Sequence, residues 1–540
     1  MGKKKAKKNT EEKDKKELKK TNGKKETKEN KPMENKNNPP IVKIIDKKAI
    51  VDQYFPDRNS YHIYQDKDNV YNGNFFSCTL NKSDLNKNNN KFYIIQLLEH
   101  DSNNSLVLFT RWGRVGVPGV HEEKNVDENS GPKLFMKKYK DKTVKHSYQE
   151  IFIDYEAEVK KEDLPEEKKK DNINKKKFQN VLNTDVMDLI RLIYNKKMIS
   201  DNLHEIGYDS KKMPLGKLSP VTLTNGLNIL KQIEAELKSN NPDRSQLTKY
   251  SSNFYTQIPH DFGFKKMSNF IIDTIEKVKE KIDMINVLSD MKITLKILEN
   301  VESEKEEEYE NQEEKELYDY YKQLNCDIRV ISKDEEIYSI LNKYLTAKIS
   351  EEDKDGFGSY YGRRNNLSLI KAYELSRHGE KKKFKDLGNK KLLWHGSRIT
   401  NFVGILSQGL RIAPPEAPSS GYLYGKGVYF ADMSQKSSCY CYPVNNMGLI
   451  LLGEVSLGKE DERRSTDFNL PSTLKNGCNS VHALGRLEPS GGETINDDVF
   501  VPSGDAKPNE KNCLCNDHAE YIVYNVDQIK LRYLLRIKYN

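Results

Sequence analysis

Hydrophobic and polar residues follow a strand-like pattern in the first part of the chain. Between about residues 60 and 155, two segments alternate in character, residues 91–98 and residues 106–112. A glycine-rich turn over residues 113–119 follows the second segment, and a short helical pattern runs over about residues 132–148. Together these features predict a small α+β domain over residues 59–156.

The apolar period becomes helical between residues 181 and 300. Three stripes repeat every three or four residues: Val186, Leu189, Ile190 and Ile193; Leu223, Leu227, Leu230 and Leu237; and Ile272, Ile275, Val278, Ile282 and Ile285. Thr184 or Asp185 can cap the first of these helices. Apolar faces of this kind are typical of packing surfaces, so the segment is predicted to be an all-α bundle.

Short apolar runs bounded by glycine, asparagine and proline reappear towards the C-terminus. They occupy residues 392–394, 428–430, 449–452 and 521–524. This pattern predicts a second α+β domain over residues 326–540. Two charged stretches separate the domains: a linker over residues 157–180, and an acidic spacer over residues 301–325 that is solvated or an exposed helix.

Composition adds a basic tail to this picture. Only 36% of the residues are hydrophobic, 32% are charged, and the formal net charge is +9. Lysine dominates the first forty residues with almost no apolar residues between, so residues 1–58 are predicted to be a disordered tail suited to nucleic acid or nuclear import. Neither a secretory signal nor an apolar run of about 20 residues is present, which indicates a soluble intracellular protein with no membrane partner.

The cysteines do not indicate a metal site. The chain has seven, and its close pairs are Cys439 with Cys441 and Cys513 with Cys515. A spacing of one residue fits neither zinc-finger nor zinc-ribbon patterns. The expectation is therefore reduced thiols and no bound metal.

Candidate chemistry is concentrated after residue 394. His395, Gly396 and Ser397 end a predicted strand, where a glycine allows a ligand to approach the backbone. Arg411, which suits phosphate, precedes a proline-rich loop, and residues 421–432 place aromatic side chains around a glycine turn. The chain carries neither the P-loop pattern nor a Rossmann fingerprint, so hydride transfer on a doubly wound sheet is unsupported.

These segments resemble the catalytic domain of the poly(ADP-ribose) polymerases, most closely over residues 394–440 and 519–524. Residues 212–218 and 258–263 resemble the helical regulatory domain of that family. Trp112, Gly113 and Arg114, with residues 91–93, resemble its WGR domain, which senses DNA ends. The resemblance implies a multidomain protein: an α+β WGR domain, an all-α regulatory domain and an α+β ADP-ribosyltransferase domain. This is the architecture of the smaller DNA-dependent members, without zinc fingers or a BRCT module.

The resemblance also implies roles for individual residues. The catalytic set is His395, Tyr429 and Glu520. The residues expected to bind NAD, the substrate, are His395, Gly396, Ser397, Gly404, Arg411, Tyr422, Tyr429, Phe430, Ala431, Lys436, Ser437 and Tyr440. Tyr429 and Tyr440 would sandwich the nicotinamide ring, whose amide Gly396 and Ser437 would hold. Glu520 would stabilise the oxocarbenium-like sugar that forms as the glycosidic bond breaks. Lys436 would contact either the ligand or only the acceptor side.

DNA is the second expected partner. Trp112, Arg114 and Lys91 would contact broken DNA together with the basic tail, with Arg114 reaching either the DNA backbone or the helical domain. The sequence departs from the family at Tyr148, where a tryptophan is usual. By hypothesis, the helical domain covers the NAD site until DNA binding loosens it. Deletion of residues 180–300 that left activity low and still DNA-dependent would contradict this hypothesis.

The expected function is therefore DNA-break-activated transfer of ADP-ribose to the protein itself and to other proteins, in the nucleus. Whether single units or chains are added stays open, since residues 479–489 resemble a mono-modifying relative. An accessory factor that directs modification to serine also stays open. The alternatives are a DNA-end-binding scaffold with a decayed transferase domain, which the intact triad disfavours, and a hydrolase that releases free ADP-ribose.

Overall fold

The structure of the protein is a computed structural model. It describes residues 50–71, 74–154, 177–205, 217–303, 309–349, 366–419, 421–496, 498–511 and 516–540. The predicted basic tail lies outside these residues over 1–49, as do most of the predicted linker, residues 155–176, and Cys513 and Cys515. The residues that the structure describes all lie in one compact unit. In the described part of the chain, no helix is both long and apolar enough to cross a membrane.

The N-terminal domain is an antiparallel sheet covered by one helix. Its elements are β1 (Tyr61–Ile63), β2 (Ser77–Asp84), β3 (Asn89–His100), β4 (Leu106–Arg114), β5 (Val120–Val126), α1 (Gly131–Lys140) and β6 (Gln149–Ile151). The strand order is β5-β4-β3-β2-β6, and β1 pairs with the end of β3. A 3-10 turn (Arg58–Ser60) precedes β1, and a π-helical turn (Asp141–Lys145) follows α1. The two strand-like segments predicted here are confirmed as parts of β3 and β4.

The middle domain is helical. Its helices are α2 (Thr184–Ile193), α3 (Lys196–Glu205), α4 (Pro220–Leu237), α5 (Arg244–Gln257), α6 (Ile275–Ser303) and α7 (Gln312–Gln323). A short pair, β7 (Ile153–Asp154) with β8 (Lys217–Leu218), joins it to the N-terminal domain, and a 3-10 turn (Met267–Phe270) precedes α6. The first predicted stripe is confirmed, since all four of its residues are buried on α2.

Two details of this domain, the cap of α2 and the start of α6, differ from the sequence-based expectation. The side chain of Asn183, rather than Thr184 or Asp185, caps α2 by accepting from the backbone nitrogen of Asp185. Ile272 lies before α6, which starts later because the hydroxyl of Thr274 accepts from the backbone nitrogen of Lys277.

The predicted acidic spacer also differs, because part of it is packed. Helix α7 lies within residues 301–325 and buries Leu317 and Tyr320. The ring of Tyr320 stacks on that of Tyr194 at 4.7 Å between centroids. Two buried apolar positions one turn apart make α7 a member of the bundle rather than a solvated spacer.

The C-terminal domain contains two main sheets. Its helices are α8 (Glu336–Leu345), α9 (Glu380–Lys383), α10 (Phe402–Gln408) and α11 (Ser434–Ser438), with 3-10 turns at Ile399–Asn401 and Val526–Gln528. Its strands are β9 (Cys326–Ile331), β10 (Leu367–Arg377), β11 (Lys390–Gly396), β12 (Val428–Phe430), β13 (Met447–Ser456), β14 (Glu460–Arg463), β15 (Ser480–Ala483), β16 (Leu487–Pro489), β17 (Glu493–Ile495), β18 (Val499–Val501), β19 (Ala506–Pro508), β20 (Glu520–Val523) and β21 (Ile529–Tyr539). One sheet has the order β17-β18-β11-β13-β21-β10-β9, the other β12-β20-β15-β14, and β16 pairs with β19.

Buried amides join the N-terminal sheet to the helical domain. The side-chain nitrogen of Asn81, on β2, donates to the carbonyl oxygens of Tyr255 (3.1 Å) and Thr256 (2.9 Å). That of Asn90, on β3, donates to the carbonyl oxygen of His260 at 2.8 Å. Both asparagines are 0% exposed. Because an unpaired buried amide is costly, these bonds fix how the two domains meet.

Candidate active site

The two sheets of the C-terminal domain meet at Trp394 and Ala431. Their backbones exchange two hydrogen bonds, from the Trp394 nitrogen to the Ala431 oxygen at 2.8 Å and in reverse at 3.0 Å. The ring of Trp394 is fully buried against Tyr344. This anchor brings the end of β11 beside β12, so that His395 lies next to Tyr429.

His395 is held as a neutral ring. Its Nδ1 lies 2.9 Å from the carbonyl oxygen of Tyr429, which can only accept, so Nδ1 carries the proton. Burial lowers the pKa of His395. A neutral ring with a protonated Nδ1 leaves Nε2 as a hydrogen-bond acceptor, suited to a hydroxyl group such as that of a ribose.

Gly396 forms the narrowest part of the site. A Cβ atom at this position would lie 1.8 Å from the carbonyl oxygen of Ser437 and 3.2 Å from the Cβ of Tyr440. The hydroxyl of Ser437 donates to the carbonyl oxygen of Trp394 at 3.0 Å. The structure therefore brings together Gly396, Ser437 and Tyr440, three residues that the sequence placed in the nicotinamide site.

The ring of Tyr429 is fixed by both sides of its hydroxyl. This group accepts from the backbone nitrogen of Tyr424 at 2.9 Å and donates to the carbonyl oxygen of Gly425 at 2.7 Å. Burial raises the pKa of Tyr429. Tyr440, by contrast, is 47% exposed. One ring of the expected sandwich is thus rigid, and the other faces solvent.

Glu520 starts β20 and shares a buried ion pair with Lys436. The Nζ atom of Lys436 lies 2.9 Å from Oε1 of Glu520, and the two side chains are 12% and 9% exposed. Oε2 of Glu520 is buried and has no hydrogen-bond partner among the described residues. A charged oxygen that is buried and unpaired favours a hydrogen-bond donor from a ligand.

His518 lies close to this pair. Burial, with Lys436 and Arg486 nearby, lowers the pKa of His518 to about 4. The histidine is therefore neutral at physiological pH. The positive charge that balances the Glu520 carboxylate comes from Lys436.

Other residues predicted to bind NAD lie beneath helix α6. Arg411 forms an ion pair with Asp290, and a Cβ atom on Gly404 would lie 3.5 Å from the side chain of Ile293. The hydroxyl of Tyr422 is hydrogen-bonded to the side chain of Asn286. The three α6 residues are spaced by four and three positions, so they lie on one face of the helix. This face of α6 was not predicted to belong to the site, although the spacing of its residues is visible in the sequence.

The remaining predicted residues form the walls of the site. The hydroxyl of Ser397 accepts from the side-chain nitrogen of Asn401 at 3.0 Å. Phe430 and Ala431 are 2% and 1% exposed, and the ring of Phe430 packs against His395 at 5.7 Å. Residues this deeply buried can support a ligand from below, but they offer it little contact surface.

A second candidate surface lies on the N-terminal sheet. The ring of Trp112 stacks on that of Tyr93 at 5.6 Å, and Nζ of Lys142 lies 4.7 Å above the Tyr93 ring. Lys91, Trp112, Arg114 and Lys142 line a concave surface with Tyr93 and Tyr148. Lys91, Trp112 and Arg114 were predicted from the sequence, whereas the stacking of Tyr93 on Trp112 and the position of Lys142 over Tyr93 were not.

Arg114 faces the helical domain. Its Nε atom donates to the carbonyl oxygen of Gly263 at 2.9 Å, and one terminal nitrogen donates to that of Asn88 at 3.1 Å. Of the two roles expected for Arg114, the contact with the helical domain is therefore present in the structure.

Comparison with known proteins assigns each part of the chain. Residues 336–539 match the model of the poly(ADP-ribose) polymerase catalytic domain, residues 180–318 that of the poly(ADP-ribose) polymerase regulatory domain, and residues 76–152 that of the WGR domain. The regulatory match extends past the predicted end at residue 300 and includes the first half of α7. The expected fold class and the resemblance to this family are confirmed.

Curated relatives match over most of the chain. Poly(ADP-ribose) polymerase 2-B of Oryza sativa subsp. japonica is 40% identical over 503 residues, which cover 91% of this chain and 76% of the relative. Poly(ADP-ribose) polymerase 2 of Arabidopsis thaliana is 38% identical over 517 residues (91% and 77%), and that of Homo sapiens 35% over 503 residues (89% and 81%). The chain belongs to the poly(ADP-ribose) polymerase family. It is an ADP-ribosyltransferase with NAD as substrate.

Proposed function

We propose that this polymerase is activated by DNA strand breaks and transfers ADP-ribose to itself and to other nuclear proteins. The single observation that supports the catalytic assignment best is Glu520. One carboxylate oxygen is held by Lys436, and the other is buried without a partner among the described residues. A pre-oriented negative charge in a cleft beside a neutral histidine suits the stabilisation of positive charge on a reacting sugar.

NAD would lie along the residues described above. Gly396 and Ser437 would hold the nicotinamide amide, and Tyr429 and Tyr440 would flank the ring. His395 and Ser397 would contact the adenosine half. Arg411 would lie nearest the phosphates, with Gly404 and Tyr422 beside it. This arrangement is supported by the close approach of Gly396 to Ser437 and by the fixed ring of Tyr429.

The reaction breaks the bond between ribose C1′ and the nicotinamide nitrogen. Nicotinamide leaves with the bonding electrons and becomes neutral, and positive charge develops on the sugar. Oε2 of Glu520 would accept from the ribose 2′-hydroxyl and so stabilise that charge. An acceptor hydroxyl or carboxylate then bonds to C1′, and any proton it carries passes to a nearby base or water. The same carboxylate could orient a ribose hydroxyl of bound ADP-ribose, which would extend a chain.

Activation by DNA would act through helix α6. In the structure, α6 places Asp290 on Arg411 and Asn286 on Tyr422, two of the predicted NAD-binding residues. Asp290 therefore competes with a phosphate for the guanidinium of Arg411. DNA bound at Trp112 and Lys91 would favour the state in which α6 has moved, by a coupling between the two sites.

The deciding experiment uses labelled NAD and purified full-length protein, with and without a 5′-phosphorylated nicked duplex. We expect DNA to stimulate labelling of the protein, as a ladder for chains or a single band for single units. Glu520→Gln should lower transfer about 100-fold or more, whereas Glu336→Gln, an exposed carboxylate of the same domain, should leave it unchanged. No labelling with any DNA would favour a DNA-end-binding scaffold. Free ADP-ribose without labelled protein would favour a hydrolase.

A further inference from the structure

An aromatic side chain stands out from the helical domain beside the candidate DNA surface. Phe264 is 93% exposed, more than any other large hydrophobic residue in the described part of the chain. It lies in the loop between α5 and α6. An aromatic ring that is this exposed is unfavourable in water, and its face is available to stack on a planar group of a ligand.

The loop that carries Phe264 is anchored on the N-terminal domain. The carbonyl oxygen of Gly263 accepts from Arg114 at 2.9 Å, and the backbone nitrogen of Met267 donates to the side chain of Asn88 at 3.0 Å. Phe262 is buried, with its ring 4.8 Å from that of Tyr255. Phe264 is thus presented on a fixed base, between two points where the domains are hydrogen-bonded.

The surroundings of Phe264 are positively charged. Lys265 and Lys266 follow it, both exposed, and neither takes part in an ion pair within the described residues. Arg114, which holds Gly263, also lines the concave surface that contains Lys91 and Trp112. The nearest carboxylate in sequence, Asp261, accepts from the backbone nitrogen of Gly263 at 2.8 Å. Arg114 therefore links the concave surface of the N-terminal sheet to the loop that carries Lys265 and Lys266.

We propose that residues 263–266 form a second DNA contact, in which Phe264 stacks on a base or sugar at the break while Lys265 and Lys266 bind phosphates. This inference rests on the proposed activation by DNA. Aromatic rings stack on any base, and lysines neutralise phosphates without regard to sequence. A protein partner is less favoured, because Arg114 joins this lysine-bearing loop to the concave surface proposed to bind DNA.

Such a contact would place DNA directly on the regulatory domain. Residues 263–266 precede the turn that leads into α6, the helix over the predicted NAD site. DNA that engages this loop therefore bears on the segment that begins α6, in addition to the contacts made by the N-terminal sheet.

The test compares full-length variants for binding to a labelled, 5′-phosphorylated nicked duplex by fluorescence anisotropy. Phe264→Ser should raise the Kd roughly 5- to 10-fold, since stacking on an aromatic ring contributes at this level. Lys265→Ala with Lys266→Ala should weaken binding and reduce the slope of log K against log salt by about 1.8, from about 0.9 for each phosphate contact. Matched controls are Val526→Ser, an apolar residue 41% exposed on the catalytic domain, and Lys381→Ala with Lys382→Ala.

A second readout reports stacking itself. The duplex carries 2-aminopurine beside the nick. At saturating protein, the wild-type protein should quench the fluorescence of 2-aminopurine more than Phe264→Ser does. Unchanged affinity, salt slope and quenching in the loop variants would overturn the inference, and so would equal losses in the controls. In that case, weaker binding by Trp112→Ala would leave the proposed function standing. Failure of the wild-type protein to bind the duplex would instead overturn the proposed function together with this inference.

Discussion

Gly396 has no room for a side chain, because a Cβ atom there would lie 1.8 Å from the carbonyl oxygen of Ser437. Gly396→Ala must therefore push apart the end of β11 and the helix that carries Ser437. We expect the KM for NAD to rise at least about tenfold, because small misplacements of binding groups are costly. The measurement is NAD turnover with broken DNA present. Gly491→Ala, where a Cβ atom meets nothing within 4 Å, should behave like the wild-type protein.

His518 should make the stability of the folded protein depend on pH. Its pKa of about 4 in the folded state lies below the value of about 6.5 for an unfolded chain. The unfolded chain thus takes up a proton first as the pH falls, so this residue makes the folded state less stable from about pH 6.5 down to about 4. Between pH 7.5 and 5.5, we expect the Tm of His518→Gln to fall less than the Tm of the wild-type protein. His121→Gln, at an exposed position, should follow the wild-type protein, and an identical pH dependence in all three would contradict the assignment.

Single residues also mark the limit of prediction from sequence. Resemblance could assign roles to His395, Tyr429 and Glu520 because their neighbours match a family pattern. It left Lys436 undecided between the ligand and the acceptor side. The distance of 2.9 Å to Glu520 adds a third possibility, charge balance for the carboxylate. Ion pairs between residues far apart in sequence depend on the fold, and the local pattern does not contain them.

Among the helices and strands, α6 is the one through which we propose that regulation reaches the predicted NAD site. Its Asp290 forms an ion pair with Arg411, so the carboxylate contacts the guanidinium that would bind a phosphate. We expect Asp290→Ala to raise DNA-independent transfer several-fold, because release of Arg411 no longer requires breaking an ion pair. Asp201→Ala, an exposed carboxylate on α3, serves as the control. Unchanged basal transfer in Asp290→Ala would show that this pair does not restrain the enzyme.

The periodic elements were predictable, whereas their ends and polar faces were less so. The stripe on α2 and the short strands at residues 428–430 and 449–452 follow from the apolar pattern, because burial decides it. The cap at Asn183 and the late start of α6 depend on which of several polar side chains reaches a backbone nitrogen. The acidic composition of residues 301–325 allowed an exposed helix but concealed the packing of α7, which rests on Leu317 and Tyr320.

At the scale of the whole molecule, the proposed activation by DNA requires a signal to cross the boundary between the N-terminal sheet and the helical domain. Asn81 and Asn90 span it with three buried bonds to backbone carbonyls of residues 255, 256 and 260. The segment they hold leads through Gly263 and Phe264 towards α6. Substitutions at this boundary can therefore weaken the coupling between the DNA surface and the NAD site without changing a residue that would contact either ligand.

Asn81→Ala with Asn90→Ala is the variant that separates binding from activation. It removes the side-chain donors to the carbonyl oxygens of Thr256 and His260, while that of Tyr255 keeps the bond from the Ser83 hydroxyl. The boundary therefore loosens, and Trp112 and Lys91 are not substituted. We expect the Kd for a nicked duplex to stay within about twofold, while DNA stimulation of NAD turnover falls about tenfold, a coupling loss of about 1.4 kcal/mol. Asn129→Ala, exposed on the same domain, is the control. Full DNA stimulation in the double variant would mean that the signal reaches α6 by another route, such as the contact between Arg114 and Gly263.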